Sequence, residues 1–129
     1  MYVDASALCA ILKNEPDRDS FISALKRDAE PFTSVVSVFE TAMAITTLTG
    51  SCASASSEVI RFLEAAGIDV VPVDASHMNE LALVRDRYGK GSGHPAQLNL
   101  GDCFSYAVAK SAGAAILYKG NDFAQTDLA

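Results

Sequence analysis

Four carboxylates in this chain stand where a fold could gather them. Asp4, Glu40, Asp102 and Asp122 each close a strand-like segment or lie near the start of a helix-like one. Ser6, Thr33, Ser34, Asn121, Thr126 and Asp127 lie close to them in sequence, and no other reactive class collects in the same way. Like charges held a few ångströms apart repel and lose solvent, so a protein gathers them only with a compensating cation. An all-oxygen set without Cys or His selects hard ions, Mg²⁺ or Mn²⁺. Such ions activate water and stabilise charge on a phosphoryl group being cleaved. Each residue also has a plainer use. Asp4 and Asn99 are good N-caps, Ser37-x-x-Glu40 and Asn99-x-x-Asp102 have the form of capping boxes, and Asn121-Asp122 suits a turn. Spacing alone leaves both the metal site and the caps open.

The elements that must position these acids alternate between short apolar runs and helical patterns. Met1–Val3 reads as a strand and Ala5–Leu12 as a small apolar helix. After the Asn14–Asp17 break, Phe21, Ile22 and Leu25 share one face of a helix over Arg18–Arg27. Phe32–Val36 reads as a strand, Val38–Leu48 as a buried helix, and Gly50–Ala55 as a small-residue loop. An amphipathic helix over Ser57–Ala66 stops at Gly67, and Ile68–Val73 is a β-branched strand. Asp74 then caps a helix to about Tyr88, and Gly89–Asn99 is the one long irregular segment. Leu100–Ser111 is helical and Ala114–Tyr118 is the last strand. This order predicts a single α/β domain with a parallel sheet of about four to five strands and helices on both faces. In open sheets of that kind ligands bind beyond the carboxyl ends of the strands, where the four acids fall.

Composition narrows the class. With 129 residues, half of them hydrophobic and a fifth charged, the chain suits one globular domain and not a disordered one. A net charge of −6 excludes a generally basic nucleic-acid coat protein, though acids that hold metal count toward that charge. The cysteines, Cys9, Cys52 and Cys103, form no CxxC pair and sit among apolar neighbours, as core thiols of a reducing compartment do. His77 and His94 are too few for a His-rich zinc site. No apolar run approaches the ~20 residues that cross a bilayer, and the first residues lack an export pattern. The expectation is a cytoplasmic protein with no membrane partner.

Longer motifs add specificity. The stretch Tyr88–Lys110, with Lys90, His94-Pro95 and Asn99-Leu-Gly-Asp102, resembles the signature of the PIN-domain ribonucleases. More narrowly, it is similar to the VapC toxins of bacterial toxin–antitoxin pairs. Val3-Asp4-Ala-Ser-Ala7, Thr33–Glu40 and Tyr118–Asp127 match the same family in the same order, so the resemblance covers essentially the whole chain. It implies a PIN-like fold and an endoribonuclease whose Mg²⁺ or Mn²⁺ is held by Asp4, Glu40, Asp102 and Asp122. Ser6 would support the first aspartate, with Asp127 as an outer member, while Asn121 and Thr126 are supporting candidates through their nearness in sequence. The resemblance further implies a VapB-like antitoxin that wraps the domain and places a basic side chain among the acids. A homodimer and a structured transfer or ribosomal RNA substrate complete the expectation.

The chain departs from the family at Ser92-Gly93, where relatives often carry a basic residue, and it ends soon after the last motif. Lys90, His94 and Lys119 are candidate RNA contacts, although a His-Pro pair more often shapes its loop. Phe104 and Tyr106 suit a core or a dimer contact better than base stacking. Two rival enzymes lack their residues: a phosphatase needs Asp where Ser6 stands, and a receiver domain needs an acceptor Asp that Thr33–Val36 does not supply. The non-enzymatic alternative is a catalytically silent PIN-fold binding module. The complete acid set argues against that.

Overall fold

The computed structural model describes residues 1–129. Four short strands, β1 (Tyr2–Val3), β2 (Phe32–Ser34), β3 (Asp69–Val71) and β4 (Ile116–Leu117), form one parallel sheet in the order β3-β2-β1-β4. Six helices connect and flank them: α1 (Ala5–Leu12), α2 (Arg18–Arg27), α3 (Val35–Thr49), α4 (Cys52–Ala66), α5 (Met78–Tyr88) and α6 (Leu100–Ser111). The expected parallel α/β sheet of about four to five strands is observed with four.

Side chains alternate across a strand, so neighbours on β1 enter different cores. Val3 joins Leu8, Ile11, Phe21, Ile45, Val59 and Leu63 on the α1–α4 side. Tyr2 joins Val84, Tyr88, Leu98, Tyr106, Ile116 and Phe123 on the α5–α6 side. β1, buried on both faces, is therefore the spine of the domain. Asp4 follows directly and caps α1, which brings its carboxylate to the carboxyl edge of the sheet.

The strands expected over Ile68–Val73 and Ala114–Tyr118 pair only over Asp69–Val71 and Ile116–Leu117, and the helix capped by Asp74 opens with a 3-10 turn over Ala75–His77. Two further boundaries differ for physical reasons. Val35 and Val36 have β-type side chains, yet the backbone turns at Ser34 and α3 starts at Val35. Cys52–Ala55 is not loop but the first turn of α4, capped by Ser51, whose oxygen accepts the Ser54 N–H at 3.1 Å. Gly50, at φ 89°, supplies the left-handed residue that turns α3 back into α4. No single helix is long and apolar enough to cross a membrane.

The Gly89–Asn99 segment is irregular as expected but closed at its ends. Lys90 N–H donates to the Leu98 carbonyl at 3.0 Å, and Leu98 N–H to that of Tyr88 at 2.9 Å. His94 holds it from within: Nδ1 accepts the Ala96 N–H at 3.1 Å and the ring meets Tyr88 edge-on at 4.7 Å.

Candidate active site

Asp4 is the anchor. It is 5% exposed, and a carboxylate buried that deeply needs donors on both oxygens. Oδ2 accepts the Ser6 backbone N–H at 2.9 Å and the Ser6 hydroxyl at 2.6 Å. Oδ1 accepts the Ser105 hydroxyl from α6 at 2.6 Å. Ser6 in turn accepts the Lys119 backbone N–H at 2.9 Å, which ties the end of β4 to the start of α1.

Behind Ser105 runs a buried chain of hydroxyls with one allowed direction. Ser105 spends its only proton on Asp4, so at Ser37, 3.3 Å away, it must accept. Ser37 must then accept from Tyr2 at 2.7 Å, and Tyr2 from Ser34 at 2.9 Å. The chain crosses from β2 through β1 and α3 to α6, and every dipole in it points at Asp4. Spacing along the sequence marked Ser6 but passed over Ser105. Its only signal there is a position three residues after Asp102, on the same helical face.

Glu40 lies in the second turn of α3, and its approach to the site depends on Gly101. A Cβ at residue 101 would stand 2.2 Å from Glu40 Oε2, so the missing side chain is the space the carboxylate occupies. The capping-box use of Glu40 does not hold, because Ser34 is the N-cap and Ser37 is a buried interior residue. Burial, followed by the charges of Asp4 and Asp102, pushes Glu40 up to about 7.

Asp102 serves two uses at once. Its Oδ2 accepts the Asn99 N–H at 3.0 Å while its own N–H donates to Asn99 Oδ1 at 2.8 Å, a complete capping box. Burial raises it to about 6 against the opposing Asn99 bond, with Asp4 and Asp122 adding to the rise and Lys90 opposing it. Asp122 is exposed, just ahead of the short turn Phe123–Gln125, and its field reaches Asp102. The charge of Asp4 thus adds to the cost of ionising both Glu40 and Asp102, Asp102 adds to that of Glu40, and Asp122 adds to that of Asp102 from the rim. No three His, Cys, Asp or Glu side chains close tightly enough to grip an ion as they stand.

The remaining candidates fall elsewhere. Lys119 is not free for RNA: its ammonium pairs with Glu15 and, at 3.2 Å, with Asp17. Asp127 lies apart from the acids, accepting from Tyr106 at 2.5 Å and Lys110 at 2.6 Å. Thr126 is buried and closes its own turn, donating to the Phe123 carbonyl at 2.8 Å. The Asn121 carbonyl accepts the Ala124 N–H at 3.2 Å, and its side chain is exposed. Nearness in sequence to Asp122 suggests these residues, but the Asp127 carboxylate is engaged by Tyr106 and Lys110 instead. Lys90 is exposed on the Asp102 side, and His94 is spent on its loop.

A PIN-domain model matches residues 1–128. The chain is a VapC-type PIN-domain protein. It is 40% identical over 129 residues to a VapC ribonuclease of Mycobacterium bovis, covering all of this chain and 96% of the relative. A ribonuclease VapC of Mycolicibacterium smegmatis is 42% identical over 129 residues, with coverage of 100% and 98%. A VapC ribonuclease of Rhizobium meliloti is 40% identical over 140 residues, with 98% of each chain covered. In this VapC-type domain the hydroxyl chain gives a specific expectation. If Asp4 holds a metal ion, Ser105→Ala, which removes the Oδ1 donor, should weaken Mg²⁺ affinity by roughly 10–100-fold, the usual cost of losing a partner behind a metal ligand. Ser105→Thr, which keeps the hydroxyl, should retain most of the affinity, read from the Mg²⁺ dependence of the melting temperature.

Proposed function

We propose that this protein is an endoribonuclease that hydrolyses RNA phosphodiester bonds at the Asp4–Glu40–Asp102–Asp122 site. The supporting observation is that buried Asp4, just after β1, adds with burial to the raised ionisation cost of Glu40 on α3 and Asp102 on α6, in a set whose donors are all oxygens. That donor set fits Mg²⁺ or Mn²⁺ and offers nothing suited to zinc. The ion, when bound, supplies Lewis-acid stabilisation and a nucleophilic water at neutral pH. Asp4, fixed on both oxygens, would orient the ligand set, and Asp102 with one unengaged oxygen and Glu40 with both would complete it. A proton held on Glu40 near neutral pH leaves when a cation takes its place. Purified protein should cleave RNA in Mg²⁺ or Mn²⁺, lose all cleavage in EDTA, and not regain it with zinc. Full activity in EDTA overturns the proposal, and RNA bound but never cut under any metal favours the silent binding module.

The finer expectations belong to the same proposal. The site's net negative field suits inhibition by a basic side chain of a VapB-like antitoxin, and the working compartment is the cytoplasm. The substrate is a structured transfer or ribosomal RNA. A homodimer is supported by α3, where Val35, Phe39 and Met43 form a stripe at helical spacing with exposures of 58%, 56% and 51%. Phe39→Asp should convert a dimer to monomer in sedimentation without altering the melting temperature by more than a few degrees. A parent that sediments as monomer removes the dimer.

A further inference from the structure

Between α5 and α6 opens a cavity of about 470 Å³, walled mainly by apolar side chains that include Leu81, Leu98, Cys103 and Phe104. Two cations, Arg85 and Lys90, also line it, and neither belongs to an ion pair of the molecule. Arg85 is placed by glycines. A Cβ at Gly89 would lie 2.6 Å from its Cδ and 3.0 Å from Nη1, and one at Gly91 would lie 3.8 Å from Nη2. The guanidinium therefore lies along the loop that carries Ser92-Gly93 in place of a basic residue.

The cavity adjoins the acid site through shared residues. Asn99 lines it and donates to Asp102, Cys103 follows Asp102 on α6, and the Lys90 charge acts on Asp102. An apolar slot with an aromatic wall and free cations suits a planar, weakly polar ring attached to anions. A purely apolar partner segment would leave the two exposed, unpaired cations at the rim without a counter-charge, and the exposed stripe of α3 lies on a different element.

We infer that this cavity receives one nucleobase of an RNA strand, with Arg85 and Lys90 holding the adjacent phosphates beside the acids. Phe104 supplies a stacking surface, a use that its helical spacing did not suggest. The inference rests on the nuclease proposal for its placement beside the cut. It assigns to Arg85 the phosphate contact that the glycine-rich loop lacks.

Two variants separate the contributions. Ala82 is exposed and lines the cavity, so Ala82→Phe fills the slot without disturbing the core. Arg85→Gln removes one charge and keeps a polar side chain. The probe is a fluorescein-labelled eight-nucleotide RNA, bound in EDTA by anisotropy across a sodium chloride series and then cleaved with Mg²⁺. Ala82→Phe should weaken binding about tenfold, within the range for one lost base stack. Arg85→Gln should flatten the log–log salt slope by about 0.7, one single-strand phosphate contact. Both should keep the Mg²⁺-induced rise in melting temperature. Parent-like binding by both variants, or no measurable binding by the parent, overturns the inference. An altered oligomeric state with unchanged RNA binding assigns the cavity to a protein partner and also overturns it. If the parent never cleaves yet both variants bind RNA less well, the nuclease proposal fails and the base pocket stands.

Discussion

Asp102→Asn should abolish RNA cleavage and at the same time make the metal-free protein more stable. The two effects separate because Asp102 divides its oxygens between a cap and the site. Asparagine keeps an acceptor for the Asn99 N–H, so the capping box survives the substitution. What is lost is one negative charge facing Asp4 and Asp122, where burial already raises Asp102 to about 6. Relief of that burden on the order of 1 kcal/mol moves the melting temperature up by about 3–6 °C. Mg²⁺ at ten times its dissociation constant should stabilise the parent by roughly 1.4 kcal/mol and the variant much less. Melting curves with and without Mg²⁺, together with one cleavage assay, read both effects. Equal Mg²⁺ stabilisation in the two proteins with retained cleavage returns Asp102 to a cap and nothing more.

Metal-free protein should lose stability as pH rises from about 5 to 8, the reverse of ordinary acid denaturation. Glu40 is raised to about 7 from 4.5, and Asp102 to about 6 from 3.8. A carboxyl raised on folding contributes stability that is fully present below its unfolded value and lost as pH climbs through its folded value. Asp28, Asp74 and Asp127 are lowered from 3.8, so their contribution is lost only on acidification below about pH 4. The window between belongs to the acid site. The full Glu40 displacement corresponds to about 3 kcal/mol, and screening at a partly exposed carboxyl reduces this to on the order of 1–2 kcal/mol. Glu40→Gln, neutral at every pH, should flatten much of the slope, and saturating Mg²⁺ should flatten it in the parent. Melting temperatures at pH 5, 6.5 and 8 decide the matter, and a parent that is pH-independent without metal removes the electrostatic account.

Sequence pattern carried the sheet and most of the acid site, because strand–helix alternation is a strong signal and strand ends are where α/β folds place ligands. It failed where local and tertiary demands diverge. Val35 and Val36 look like strand residues, but β2 needs only three residues to pair with its neighbours before the chain turns into α3. Cys52–Ala55 looks like loop because small residues carry no helical stripe, yet Ser51 caps a helix there. Asp127 was grouped with Asp122 by nearness in sequence, while the structure gives it to Tyr106 and Lys110. Ser105 and Gly101 were missed for a different reason. Ser105 acts through hydrogen bonds across the fold and shows in the sequence only by its place one turn after Asp102, while Gly101 acts by having no side chain and leaves no mark on periodicity or charge.

The position of β1 bears on when the proposed site is completed during synthesis. The strand is made first, but its backbone is completed last: Tyr2 N–H waits for the Ala115 carbonyl at 2.8 Å, and Asp4 N–H for that of Leu117 at 3.0 Å. A nascent chain that has exposed Met1 through Ser111 already carries Asp4, Glu40 and Asp102. It lacks the strand that holds Asp4 in place, and it lacks the Lys119 N–H that Ser6 accepts. Local elements fold as they emerge, while pairing between distant segments cannot precede the later one. The support that holds Asp4 at the proposed site is therefore complete only after β4 has emerged and paired with β1.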